Sequence, residues 1–159
     1  MLKIRNASVE DVPLILSFIH ELAEYEREPS AVRATEDDLI RDGFSKNPKF
    51  RAIIAEWDGN PAGMAFFFHN YSTWQGKHGL FLEDLFVRPQ FRRKGIGKAL
   101  MVHLARTAIE EKCYGMRWEV LDWNKSAIDV YQRLGASFRE PWRVMQLTGE
   151  DLKRLSETE

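Results

Sequence analysis

The chain has 159 residues and a formal net charge of −1, a balance that excludes a global field for nucleic acid or an anionic membrane, so any basic feature must be local. Its length fits one domain, residues 1–159, with a sizeable apolar core. The single Cys113 excludes an intramolecular disulfide, and no apolar run has signal-peptide or membrane-spanning length; the expected location is the cytoplasm.

Alternation over Leu2–Arg5 predicts an opening strand. Ser8 or Asp11 then suits the cap of a helix whose apolar positions, Val12, Ile15, Leu16, Ile19, Leu22 and Ala23, recur at helical spacing until Pro29 stops it. Thr35 is the expected cap of a short second helix ending near Gly43. Phe50–Trp57 and Pro61–Phe68 flank Asp58-Gly59-Asn60 and predict a hairpin. Tyr71–Gly79 is expected to be a polar, aromatic loop, and Leu80–Val87 the next strand. A helix over Gly97–Lys112, a strand over Met116–Leu121 and a helix over Lys125–Leu134 ending at Gly135 follow. Segments at Ser137–Phe138 and Arg143–Leu147 predict a closing hairpin, and Asp151–Leu155 a last helical turn. The order is that of a mixed α/β domain without internal repeats.

Two features carry chemistry. Arg92-x-x-Gly95-x-Gly97 joins a strand to a helix, where glycines permit close approach and successive amides from Arg93 to Lys98 form an anion nest. The alternative is an exposed basic connection. A dinucleotide fingerprint fails because Leu100 stands where glycine is needed, and a phosphate-binding P-loop fails because Ala99 follows Gly97-Lys98. Glu83 and Asp84 interrupt the apolar strand that leads into this loop, and each needs a partner or a wet cleft. Alternation puts Glu83 with Phe81, Leu85 and Val87, and Asp84 on the other face with Leu82 and Phe86. Tyr131 falls on the same helix face as Asn124. His20, His69, His78 and His103 show no metal-ligand spacing, Cys113 reads as an incidental thiol, and no metal or acyl-enzyme is expected.

On these motifs the chain resembles the GNAT N-acetyltransferase superfamily over nearly its whole length. The runs Glu21-Leu22-Ala23-Glu24-Tyr25-Glu26, Phe81-Leu82-Glu83-Asp84, Gly95-Ile96-Gly97 and Tyr131 with Gly135-Ala136 are similar to the diamine acetyltransferase family. Tyr71-Ser72-Thr73-Trp74 and Val120-Leu121-Asp122-Trp123-Asn124 look most like its thialysine acetyltransferase branch, and Ser72 stands where the spermidine/spermine enzymes have an acidic residue. The resemblance implies a mostly antiparallel mixed sheet with helices on both faces and a cofactor cleft where the fourth and fifth strands splay. It implies acetyl-CoA as donor, a small-molecule primary amine as acceptor, direct transfer, and a homodimer.

It also implies site roles. Amides of Leu85, Phe86 and Val87 would hold the pantetheine and polarise the thioester; Arg92, Arg93, Lys94, Gly95, Ile96, Gly97 and Lys98 would bind the pyrophosphate; Asn124, Lys125, Ser126, Ala127 and Tyr131 would complete the cofactor groove. Tyr25, Glu26, Trp74, Glu83, Asp84, Arg117, Trp118, Glu119 and Glu140 would meet the amine. An alkyl ammonium has a pKa of about 10, so a proton must leave before it attacks. Glu83 is the expected base, directly or through water, and Tyr131 the acid that protonates the departing thiolate. Glu119 departs from the family, where an apolar residue is expected; it either adds charge to the amine pocket or points outward to Arg117 or Lys125, the outward pairing being slightly preferred. The alternatives are acetylation of a protein lysine or N-terminus, and a non-catalytic acyl-CoA-binding domain.

Overall fold

Alternation along the strands decides where the helical layers go. In the computed structural model, which describes residues 1–158, five strands form one sheet in the order β1-β2-β3-β4-β5. They are β1 (Leu2–Asn6), β2 (Arg51–Trp57), β3 (Asn60–Ser72), β4 (Lys77–Val87) and β5 (Met116–Trp118). The first four pair antiparallel and β4 pairs with β5 in parallel. The helices are α1 (Val12–Tyr25), α2 (Glu36–Gly43), α3 (Ile96–Glu110), α4 (Lys125–Arg133) and α5 (Gly149–Ser156). Among the described residues no helix is long and apolar enough to cross a membrane. Two compact units can be separated, Met1–Glu119 and the chain from Val120 onward.

One face of the sheet carries Ala52, Ile54, Met64 and Phe86, which form a core with Val12, Ile15, Phe18 and Leu22 of α1 and Leu39 of α2. Strand alternation turns the intervening Ile53, Ala65 and Leu82 to the opposite face. There α3 packs across β2–β4 with Ile96, Leu100, Leu104 and Ala108 buried. Phe50 stacks on Phe66 at 4.1 Å and Phe68 on Phe81 at 5.2 Å, which adds aromatic contact to the α1 side.

Local sequence chemistry sets most boundaries. Thr35 caps α2 through the Asp38 amide, while Asp38 accepts from the Thr35 backbone, a reciprocal capping box. Asp11 is not spent on capping α1. Its carboxylate takes both terminal nitrogens of Arg5, at 2.7 and 2.8 Å, and the Ser8 amide, and Arg5 holds its pKa down at about 2. Asp58 and Gly59 both adopt positive φ at the β2–β3 turn, as a tight two-residue hairpin requires.

Four expectations need correction. The β3–β4 connection is only Thr73–Gly76, because both strands run further than the alternation suggested. Strand β5 stops at Trp118 rather than Leu121. No closing hairpin forms: residues 137–148 carry no strand, and Val144 and Met145 are exposed. Two short segments alone make at best a marginal hairpin. Finally, Asp84 does not share a face with Leu82. A bulge in β4 pairs Phe66 with Asp84 and Phe67 with Leu82, leaving Glu83 as the extra residue between them. Phe81, Asp84 and Phe86 therefore face α1, while Leu82 and Leu85 face α3.

Candidate active site

The bulge lies where β4 loses its neighbour. Pairing with β5 covers only Leu80–Leu82, yet β4 continues five residues to Val87, so the edge of Glu83–Val87 toward β5 has no strand beside it among the described residues. Unpaired amides along such an edge are available to an acceptor in the cleft. The bulge also re-aims Glu83 just ahead of that stretch.

The strand then delivers the chain to α3. Arg88 is fixed first: it donates to both oxygens of Glu21, at 2.7–3.2 Å, and to the Pro61 carbonyl at 3.1 Å, with its guanidinium 4.6 Å from the centre of the Phe18 ring. Arg88 in turn depresses the Glu21 pKa. Arg92 donates to the Val87 carbonyl at 3.0 Å and lies 4.9 Å from the Tyr25 ring centre, and Lys94 lies 4.8 Å from that of Trp57. These cations brace the loop against α1 and β2. Gly95 stands at φ +76° immediately before α3, a conformation that disfavours a side chain. Gly97 is different: a Cβ there would meet only Val87, at 3.9 Å, so the chain's own packing does not require glycine. No side chain caps α3 and its first turn holds no acid, which leaves a positive helix end beside Arg93, Lys94 and Lys98.

The opposite character develops around Glu83. Burial raises the Asp84 pKa to about 6, helped by the nearby charges of Glu83 and Glu26. Glu83 is also raised, by burial and then by Glu119, and Glu26 by burial. The structure thus gathers Glu26 from the end of α1, Glu83 and Asp84 from β4, and Glu119 from just beyond β5 into one acidic cluster. Among the described residues Glu119 makes no ion pair with Arg117, which instead lies over the Tyr114 ring at 5.2 Å; the preferred outward pairing with Arg117 is not made. Such a cluster favours a cation and holds groups ready to accept its proton.

The other expected residues lie on several elements. Trp74 sits in the β3–β4 turn with 84% of its surface exposed, and about 20 Å of strand separates Lys77 from Glu83, so one chain does not bring Trp74 to the cluster. Arg117 and Trp118 lie in β5. In the second unit, Asn124 caps α4 by accepting from the Ala127 amide and the Ser126 hydroxyl, both at 3.4 Å, and Lys125 opens that helix. Tyr131 lies on α4, and Glu140 in the irregular segment after it. Sequence spacing missed the Arg88–Glu21 brace, whose signal was an Arg-Pro step ending an apolar strand, and gave no sign of the bulge.

The sequence model of the Acetyltransferase (GNAT) family matches residues 15–136. A thialysine N-epsilon-acetyltransferase of Sus scrofa is 38% identical, with 96% of each chain covered. An L-ornithine N5-acetyltransferase of Arabidopsis thaliana is 30% identical over 96% of this chain and 87% of its own. Among solved structures, an integron cassette protein from the mobile metagenome of V. cholerae superposes with a TM-score of 0.81 at 28% identity, over 99% of this chain and 98% of that one. An open-edged strand, a bulge and an uncapped helix in one stretch are thus matched by sequence kinship along most of the chain, and the protein is an acetyl-transferring enzyme of the GNAT family.

Proposed function

We propose that the protein moves an acetyl group from acetyl-CoA to a primary amine of a small cationic molecule, a lysine-like amino acid such as thialysine or a polyamine. The observation that carries this is the gathering of Glu26, Glu83, Asp84 and Glu119 at the bulged end of an open strand edge, with burial raising three of the four carboxyl pKa values. The relatives named for acetylating thialysine and L-ornithine support an acceptor of this size and charge.

In this reaction the amine loses a proton to Glu83, directly or through water. Its lone pair attacks the thioester carbonyl carbon, an N–C bond forms, and the C–S bond breaks. Amides of Leu85–Val87 stabilise the oxyanion, Tyr131 gives a proton to the departing CoA sulfur, and the attacking nitrogen releases its second proton as the intermediate collapses, which restores the Tyr131 hydroxyl through solvent. The amides from Arg93 to Lys98 take the pyrophosphate, which explains why Gly97 lacks a side chain that the fold itself would tolerate. The roles of Tyr131 and of Asn124–Ala127 in the second unit and a homodimer rest on the family resemblance, while one domain rests on chain length and a cytoplasmic location on the single cysteine and the sequence's lack of long apolar runs.

Thiol release from acetyl-CoA, measured against thialysine, lysine, ornithine, spermidine, spermine, short diamines and a lysine-containing peptide, tests the proposal. Saturable release with one or more small amines is expected. Release with the peptide alone, or none with any amine, overturns it.

A further inference from the structure

On the α3 side of the sheet, away from the acidic cluster, His69 of β3, His78 of β4 and Cys113 in the turn after α3 come together. One ring nitrogen of each histidine and the thiol sulfur lie within 4.8 Å of one another. Hairpin pairing explains this despite a sequence spacing without metal character: His69 stands opposite Leu80 and His78 opposite Tyr71, so the two are diagonal neighbours on one face, with ring centres 4.5 Å apart. The Cys113 turn is tied to the same strand, since the Tyr114 amide donates to the His78 carbonyl at 3.0 Å.

Glu111 organises the outer side of the group. Its backbone carbonyl lies 2.8 Å from His78 Nε2, and its carboxylate 2.6 Å from His69 Nε2. An Nε2–H on each ring donates to these oxygens, which leaves each Nδ1 with a lone pair. Metal-binding histidines are generally oriented in this way, by a carboxylate or carbonyl on the nitrogen that does not bind. Arg51 pairs with both oxygens of Glu111, at 2.6 and 2.8 Å, and cancels its charge; its Nη2 is also 3.4 Å from His69 Nε2. With thiolate, carboxylate, guanidinium and a divalent ion the patch would carry only one net positive charge.

We propose that His69, His78 and Cys113 form a binding site for a zinc-class divalent ion, with Glu111 orienting both histidines and a fourth position open to water. Two imidazoles and a thiolate are the donor set such an ion prefers. Tetrahedral zinc, with Zn–N about 2.0 Å and Zn–S about 2.3 Å, needs ligand atoms about 3.3–3.5 Å apart, so closure takes an inward movement of about 1 Å. Binding displaces the thiol proton to solvent and pins the β3–β4 hairpin to the end of α3.

The test uses the full-length chain without an affinity tag, stripped by chelator and titrated with Zn²⁺ by calorimetry and with Co²⁺ by absorption. Cys113 is the single cysteine, so any cobalt–thiolate charge-transfer band reports it alone. The expected result is saturable binding of one ion with that band present. Cys113→Ser should remove the band, and Cys113→Ser and His78→Asn, each shown to be folded by circular dichroism, should bind Zn²⁺ at least about tenfold more weakly. Absence of the band in the parent chain, or Zn²⁺ affinities in both variants within about twofold of the parent, overturns the site.

Discussion

Two adjoining stretches, Glu83–Asp84 within β4 and Leu85–Lys98 after them, are proposed to meet opposite charges and are built from different material. From Leu85 to Lys98 the chain offers backbone: an open strand edge, a glycine at positive φ and an uncapped helix start. Its cations there are partly committed, Arg88 to Glu21 and Arg92 to Val87 and Tyr25. Around Glu83 the chain offers side chains instead: burial first raises the carboxyls of Glu26 at the end of α1 and of Glu83 and Asp84 on β4, and Glu119 adds its charge beside Glu83. A backbone grip constrains sequence only where a side chain would intrude, so it suits a donor common to a family. A side-chain cluster can be changed one residue at a time, so it is where we propose that acceptor choice is set.

Substitutions can break this division. The largest effect is expected at the backbone end: Gly97→Leu puts a side chain where the fold has room and the pyrophosphate is proposed to sit, and should weaken acetyl-CoA at least about 100-fold with little change in melting temperature. A matching loss of stability would place the need for glycine in the fold instead. Tyr131→Phe should lower turnover about tenfold or more while acetyl-CoA affinity stays nearly constant. Unchanged turnover, with chemistry rate-limiting in single-turnover runs, would remove Tyr131 as the acid.

Smaller effects sharpen the acidic end. A carboxyl whose folded pKa is raised holds its proton more tightly when folded, so stability present below the unfolded value near 3.8 is lost as pH rises through about 6. For Asp84 that loss is about 2–3 kcal/mol. Asp84→Asn should therefore raise the melting temperature at pH 7.5, with the two chains converging below about pH 4. An Asn variant less stable than the parent at neutral pH would mean that the carboxylate has a stabilising partner. Smallest is Glu119→Gln: with Glu119 removed, the raised pKa of Glu83 falls, and the acid limb of the pH–rate profile should move to lower pH. An unmoved limb would detach Glu119 from Glu83.

What could be read from sequence follows the same division. The strand, loop and helix of the donor end are contiguous, so Arg92-x-x-Gly95-x-Gly97 announces itself within one short stretch. The acidic cluster is not contiguous: Glu26 and Glu119 reach Glu83 only through the packing of α1 and the parallel β4–β5 pair, and without the family resemblance neither would stand out. The bulge was invisible because strict alternation has no place for an inserted residue, and it moved Asp84 to the α1 face. Residues 137–148 misled for the converse reason. Their apolar residues alternate as in a strand, yet in the structure Met145 is 94% exposed and the segment forms no strand. Sequence alone dismisses His69, His78 and Cys113 as a group because metal-ligand spacing rules describe local loops, whereas hairpin pairing and a helix end bring them together.

Glu83 is the group proposed to take the amine proton. The pH dependence of kcat/KM for the best amine, compared between the parent chain and Glu83→Gln, tests it directly. The variant should lose about 100-fold near pH 7 and recover much of that loss as pH approaches the amine pKa, where free amine no longer needs a base. A loss of the same size at every pH would contradict proton transfer by Glu83 and leave it only the task of positioning the cation.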